Sequence, residues 1–186
     1  MVGRLKERTT LIKDVETKKS LRNIFPIPIR IPILKMNETL SAVFQKNMGA
    51  PIYYQGEAVL PIVLFPLEKG VHEFSLKRIR AKAMPLSGLK LKVAKGKVEI
   101  EGEAHSDVVL WSNTSPDICN FKVVANRGCI LKIWNVWEVD GLVQAWVGNS
   151  GIVVYPVESG GLELRCSDGV GGIDFTEVIA VIDFIK

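Results

Sequence analysis

Apolar and polar positions divide this chain into three regimes. Over residues 1–25, Leu11, Val15, Leu21 and Phe25 give only a broken helical spacing among Arg4, Lys6, Arg8, Lys13, Lys18, Lys19 and Arg22, so this stretch reads as a polar, basic arm. The next segment, FPIPIRIPIL, alternates Ile27, Ile29, Ile31 and Ile33 with Pro26, Pro28 and Pro32. Proline has no backbone N–H to give to a ladder, so the pattern suits an extended strap along a sheet edge and not a central strand. Asn37 then precedes ETLSAVFQKNMG, where Leu40, Val43, Phe44 and Met48 share a helical face and Gly49 stands as a stop. This predicts one short helix near residues 38–48.

After residue 56 the pattern changes to short apolar runs broken by Gly, Asn, Asp, Ser and Pro. EAVLPIVLF, HEFSLKRI, LKLKVA, KVEIEG, VVLWS, NFKVVA, CILKIWNVWEV, LVQAWV, GIVVYPV, LELRCS and FTEVIAVIDFI are the predicted strands. Strands at this spacing without intervening helices point to a mainly β fold, an antiparallel sandwich or jelly roll. A length of 186 residues suits one such domain. The expected organisation is therefore an arm and Pro-Ile strap over residues 1–35, followed by one β-sandwich domain over residues 36–186 that includes the helix.

Turn chemistry refines the picture. Asp140-Gly141 is a strong two-residue hairpin signal, Lys95-Gly96 a second, and Gly148-Asn149-Ser150-Gly151 another reversal. Counting back from Asp140-Gly141 sets Trp137 opposite Gln144, Asn135 opposite Trp146 and Trp134 opposite Val147. Because side chains alternate, Asn135, Trp137, Gln144 and Trp146 then share one sheet face as a compact square. Indoles stack on the apolar face of a sugar ring and amides hydrogen-bond to its hydroxyls, so the square is a candidate site for a glycan or another small polar ligand. The competing reading is core: Leu131, Ile133 and Leu142 lie on the same face, and large aromatics usually pack.

Charge adds an asymmetry. Residues 1–97 carry 19 Lys and Arg against 7 Asp and Glu, whereas residues 98–186 carry 5 against 13. A basic half of this kind fits an acidic partner, and Lys77, Arg78, Arg80 and Lys82 in FSLKRIRAKA form a candidate stripe for nucleic acid or an acidic protein. Phe74, Leu76, Ile79, Ala81 and Ala83 would then face inward. The simpler reading is a solvated sheet face. In LKLKVAKGKVEIEGE, a hairpin at Lys95-Gly96 would set Lys92 opposite Glu99 and Lys90 opposite Glu101, neutralising part of the asymmetry locally.

The remaining chemistry is sparse. Asp168, Asp174 and Glu177 gather around Gly169, Gly171 and Gly172, an oxygen-rich loop compatible with calcium, although its spacing departs from the calcium-loop pattern. In a strand His105 and Asp107 share a face while Ser106 points away, so these three do not form a local triad. Glu99, Glu101 and Glu103 read as the solvated side of the Lys-Glu hairpin rather than as a glycosidase pair. Phosphate-binding, dinucleotide and nucleophile-elbow motifs are absent. Cys119, Cys129 and Cys166 lack metal-site spacing and are odd in number, which suits reduced, buried thiols. The chain start lacks a signal-peptide core and no apolar run approaches a membrane span, so a soluble protein of the cytoplasm or another reducing compartment is expected.

Three functional expectations follow. The first is a non-catalytic module binding a glycan or small polar ligand through Trp137, Trp146, Asn135 and Gln144. The second is an assembly protein, a capsid-like jelly-roll subunit that forms homo-oligomers through its strap and basic arm. The third is a hydrolase with a carboxylate-based site.

Overall fold

A computed structural model describes residues 38–185; the predicted arm and Pro-Ile strap lie outside the described residues. Helix α1 spans Leu40–Lys46. The strands follow as β1 (Ile52–Tyr54), β2 (Glu57–Leu60), β3 (Val63–Leu67), β4 (Gly70–Ala81), β5 (Leu86–Ile100), β6 (Glu103–His105), β7 (Asp107–Trp111), β8 (Ile118–Val139), β9 (Leu142–Gln144), β10 (Gly151–Pro156), β11 (Leu162–Ser167) and β12 (Val178–Ile185). The fold is mainly antiparallel β with one short helix among the described residues, as the hydrophobic pattern predicts. Its hydrogen bonds form one open sheet in the order β1-β2-β10-β11-β12-β4-β8-β5-β6, with β3 and β9 added to β8 and β7 added to β5.

Alternation along β2 and β10 shows how the sheet is buried on both faces. Leu60 and Ile152 face the main core, while their neighbours Val59 and Val153 face a second cluster with Leu40, Val43 and Phe44 of α1. The helix therefore lies on the β1-β2-β10 end. It is capped by Thr39, whose hydroxyl accepts from the Ala42 N–H at 3.3 Å. Met48, predicted on the apolar face, is 97% exposed because the helix has already ended and its φ has turned to 53°. The main core draws on both ends of the sheet order, from Ile152, Leu164 and Ile182 to Phe74, Phe121, Leu91 and Ile133. Each such aliphatic or aromatic side chain, fully buried, contributes about 1.5–3 kcal/mol.

Two predicted strand pairs are fused. Lys95-Gly96 is not a hairpin: β5 runs straight through it, and both halves pair with β8, Ala94 with Ile130 and Gly96 with Ala125. β8 likewise joins NFKVVA to CILKIWNVWEV, with Asn126, Arg127 and Gly128 exposed where the register of its neighbours shifts. Lys92 accordingly faces Lys132, and Glu99 faces Lys122, which also pairs with Glu73 at 2.9 Å. Charge is neutralised across β4, β8 and β5 instead of within a hairpin. Non-local pairing with a 22-residue strand outweighs the local turn signal of Lys95-Gly96.

Candidate functional site

The Asp140-Gly141 turn forms with both residues at positive φ, and the predicted pairs Trp137–Gln144 and Val139–Leu142 are present. Pairing stops at Gln144, however, and Trp146 takes a φ of 57° that swings it out of register. Its indole reaches the other face of β8, 5.0 Å from Trp134 and tilted 31° to it, and its Nε1 donates to the Pro61 carbonyl at 3.1 Å.

The expected square therefore does not assemble. Trp137 is 1% exposed, and Gly169 lies on its ring. Asn135 is buried as well: its Nδ2 donates to the Ser167 carbonyl at 2.8 Å, and the Ser150 hydroxyl donates to its Oδ1 at 3.5 Å. The first bond ties β8 to the end of β11, two strands that are not neighbours in the sheet, and the second ties it to the residue before β10. Gln144 is half-buried and Trp146 is 48% exposed. Beside Trp146, the hairpin tip leaves Val139, Leu142, Val143 and Val147 exposed. The outer edge of β9 carries no strand among the described residues.

The basic stripe is also rearranged. β4 carries a bulge: Arg80 pairs with Ile179 and Arg78 with Ala180, leaving Ile79 unpaired. The extra residue turns Ile79 outward, 53% exposed, and corrects its predicted inward placement. Arg78 stays on the side of Phe74 and Leu76, where its guanidinium donates to the Trp111 and Ser115 carbonyls and to Asp117 at 2.7 Å. Lys77 and Arg80 are exposed, while Lys82 is half-buried. Residues Arg78 to Ala83 line a polar surface cleft of about 340 Å³ with Ser112 and Asp117.

Lys82 belongs to the acidic loop. Its Nζ stands 2.5 Å from Asp168 Oδ2 and 2.5 Å from Glu177 Oε1. The loop backbone completes the arrangement: the Asp168 N–H donates to Glu177 Oε2 at 2.5 Å, and the Val170 N–H donates to Asp168 Oδ1 at 2.7 Å. Burial pulls the Lys82 ammonium down, but hydrogen bonds from it to Asp168 and Glu177 and their charges outweigh that pull and raise it above its ordinary value. Asp174 takes no part. Its carboxylate accepts from the Thr176 hydroxyl and N–H, which lowers it below the ordinary carboxylate range. Of the three predicted calcium ligands, then, two converge, and both contact Lys82. Among the described residues no three His, Cys, Asp or Glu side chains are grouped to hold a metal.

Sequence reasoning missed Lys82 as the partner of Asp168 and Glu177 because the link spans most of the domain. Its only trace was the isolated basic residue at the end of FSLKRIRAKA. His105 stands 3.7 Å from Glu103, and Asp107 pairs with Lys90 at 3.1 Å, so the local trio is dispersed over two strands. The three thiols are free and buried. No helix among the described residues is long and apolar enough to cross a membrane. The chain matches no family model, no curated protein and no solved structure.

Proposed function

We propose that this protein is a non-catalytic assembly subunit, a curled β-sandwich of jelly-roll type that self-associates through the tip of its β8–β9 hairpin. The observation that carries this reading is a set of apolar side chains at and just after the hairpin tip, Leu142, Val143, Trp146 and Val147, which are 65%, 56%, 48% and 47% exposed. Several large apolar side chains left exposed on one hairpin mark a surface that a partner can cover. The outer edge of β9, which no strand among the described residues covers, offers backbone groups for pairing with a second copy. The sandwich reading draws support from the core shared by both ends of the sheet and from the Asn135–Ser167 tie across it.

Sedimentation of the full chain over a range of concentrations tests the proposal. Oligomers that dissociate in a Leu142→Asp, Val143→Lys variant of unchanged circular dichroism are expected. A wild type that is monomeric throughout refutes self-association. Deleting residues 1–35 separates the hairpin from the strap: association through the hairpin survives the deletion.

A second reading, a glycan or small polar ligand, now rests on the half-exposed indole of Trp146 beside Gln144. A glycan screen in which Trp146→Ala removes binding would favour it.

A further inference from the structure

Lys82, Asp168 and Glu177 come from three places: just past the end of β4, just past the end of β11, and the residue before β12. The backbone holds them together, since the Lys82 N–H donates to the Glu177 carbonyl at 2.8 Å. Asp168 is 2% exposed and Glu177 is 8% exposed. Asp168 Oδ2 is buried without an aligned hydrogen bond, although Lys82 Nζ lies 2.5 Å away. An amine held in contact with a buried carboxyl group meets the proximity condition for condensation.

We propose that Lys82 and Asp168 join in an intramolecular amide, with Glu177 as the proton carrier. Glu177 Oε1, in contact with Nζ, takes a proton from the ammonium and frees the amine lone pair. Nζ attacks Asp168 Cγ, a N–C bond forms, and negative charge develops on Oδ1, which already accepts the Val170 N–H. Glu177 delivers its proton to Oδ2 and then relays a second one from Nζ. The Cγ–Oδ2 bond breaks, Oδ2 leaves as water, and Glu177 returns to its carboxylate. Three protons on the lysine nitrogen become one on the amide and two on the departing water, and no oxidant or cofactor enters.

The Asp168 N–H, donating to Glu177 Oε2, keeps the carrier oriented throughout. The bond also removes the charge of a buried carboxylate, which is costly to keep away from water. Because Lys82 follows β4 and Asp168 follows β11, with β12 between those strands, the amide straddles β12.

Intact mass spectrometry of the folded full-length chain tests the assignment. The wild type is expected one water lighter than its sequence mass, with a branched peptide joining the Lys82 and Asp168 segments. Lys82→Arg, which keeps the charge but forms no amide, and Glu177→Gln are both expected at full mass. Asp168-Gly169 and Asp140-Gly141 could lose water by closing a succinimide without a lysine. A water loss that persists in Lys82→Arg therefore overturns the proposal, as does a wild type at full mass. If the variants fail to fold, the presence or absence of the branched peptide in the wild type decides the question alone.

Discussion

Gly169 lies against the indole of Trp137 so closely that a Cβ at this position would fall 2.4 Å from Cζ2 and 2.4 Å from the Val147 carbonyl oxygen. A glycine in the acidic loop thus closes over one of the two tryptophans that the turn count set on the candidate ligand face. Gly169→Ala is expected to destabilise the fold by about 1–3 kcal/mol, since neither the ring nor the backbone oxygen can move freely. Urea unfolding measures the loss, and an unchanged midpoint would show that the loop relaxes.

Trp137 and Trp146 differ in burial, and their variants should separate accordingly. Trp137→Ala removes a fully buried indole and is expected to cost about 3–5 kcal/mol. Trp146→Ala leaves half-exposed surface behind and costs less. Acrylamide quenching of single-tryptophan variants reads the same difference directly: Trp146 quenches in the native state and Trp137 does so only on unfolding.

Arg78 works as a structural tie within the basic stripe. Arg78→Ala leaves the Trp111 and Ser115 carbonyls and Asp117 without their shared donor, and a loss of about 1–3 kcal/mol is expected. Lys77→Ala and Arg80→Ala, at exposed positions, should stay within about 0.5 kcal/mol of wild type. Thermal melts of the three variants make the comparison.

The thiols should be silent in the native protein. Burial raises all three, and for Cys166 the charge of Glu177 adds to burial and pushes the thiol well above its ordinary value. Labelling by a thiol reagent at neutral pH is expected to be slow for Cys119 and Cys129 and slowest for Cys166, and to become uniform in denaturant. Mass spectrometry of labelled peptides ranks them.

Acid should loosen the 168–177 loop through Asp174. Because its folded value is lowered from 3.8 by the Thr176 hydrogen bonds, its contribution is fully present above pH 3.8 and is lost as pH falls through that lowered value. The Thr176 amide resonance should follow this titration, and Asp174→Asn should flatten it.

Period-two alternation and turn residues made the β class, the short helix and the Asp140-Gly141 hairpin legible, because these features are set within a few residues of one another. The fate of Lys95-Gly96 was not legible: whether the chain folds back there depends on β8, which lies far along the sequence. The Trp137 face failed for a related reason. A single positive φ at Trp146 breaks the alternation on which the count relies, and no local residue type announces it. The acidic loop was recognised as a cluster, but the cation that answers it comes from the residue after β4, and one sequence without its contacts cannot make that pairing.

The position of β12 has a consequence for how the molecule comes together. It is the strand that joins β1-β2-β10-β11 on one side to β4-β8-β5-β6 on the other, and it follows every other described strand in the chain. Until residues 178–185 are in place, β11 and β4 have no strand between them to join the two halves of the ladder. The sheet is joined at its middle, and a chain stopped before that segment leaves β11 and β4 each without a neighbour that it has in the finished protein.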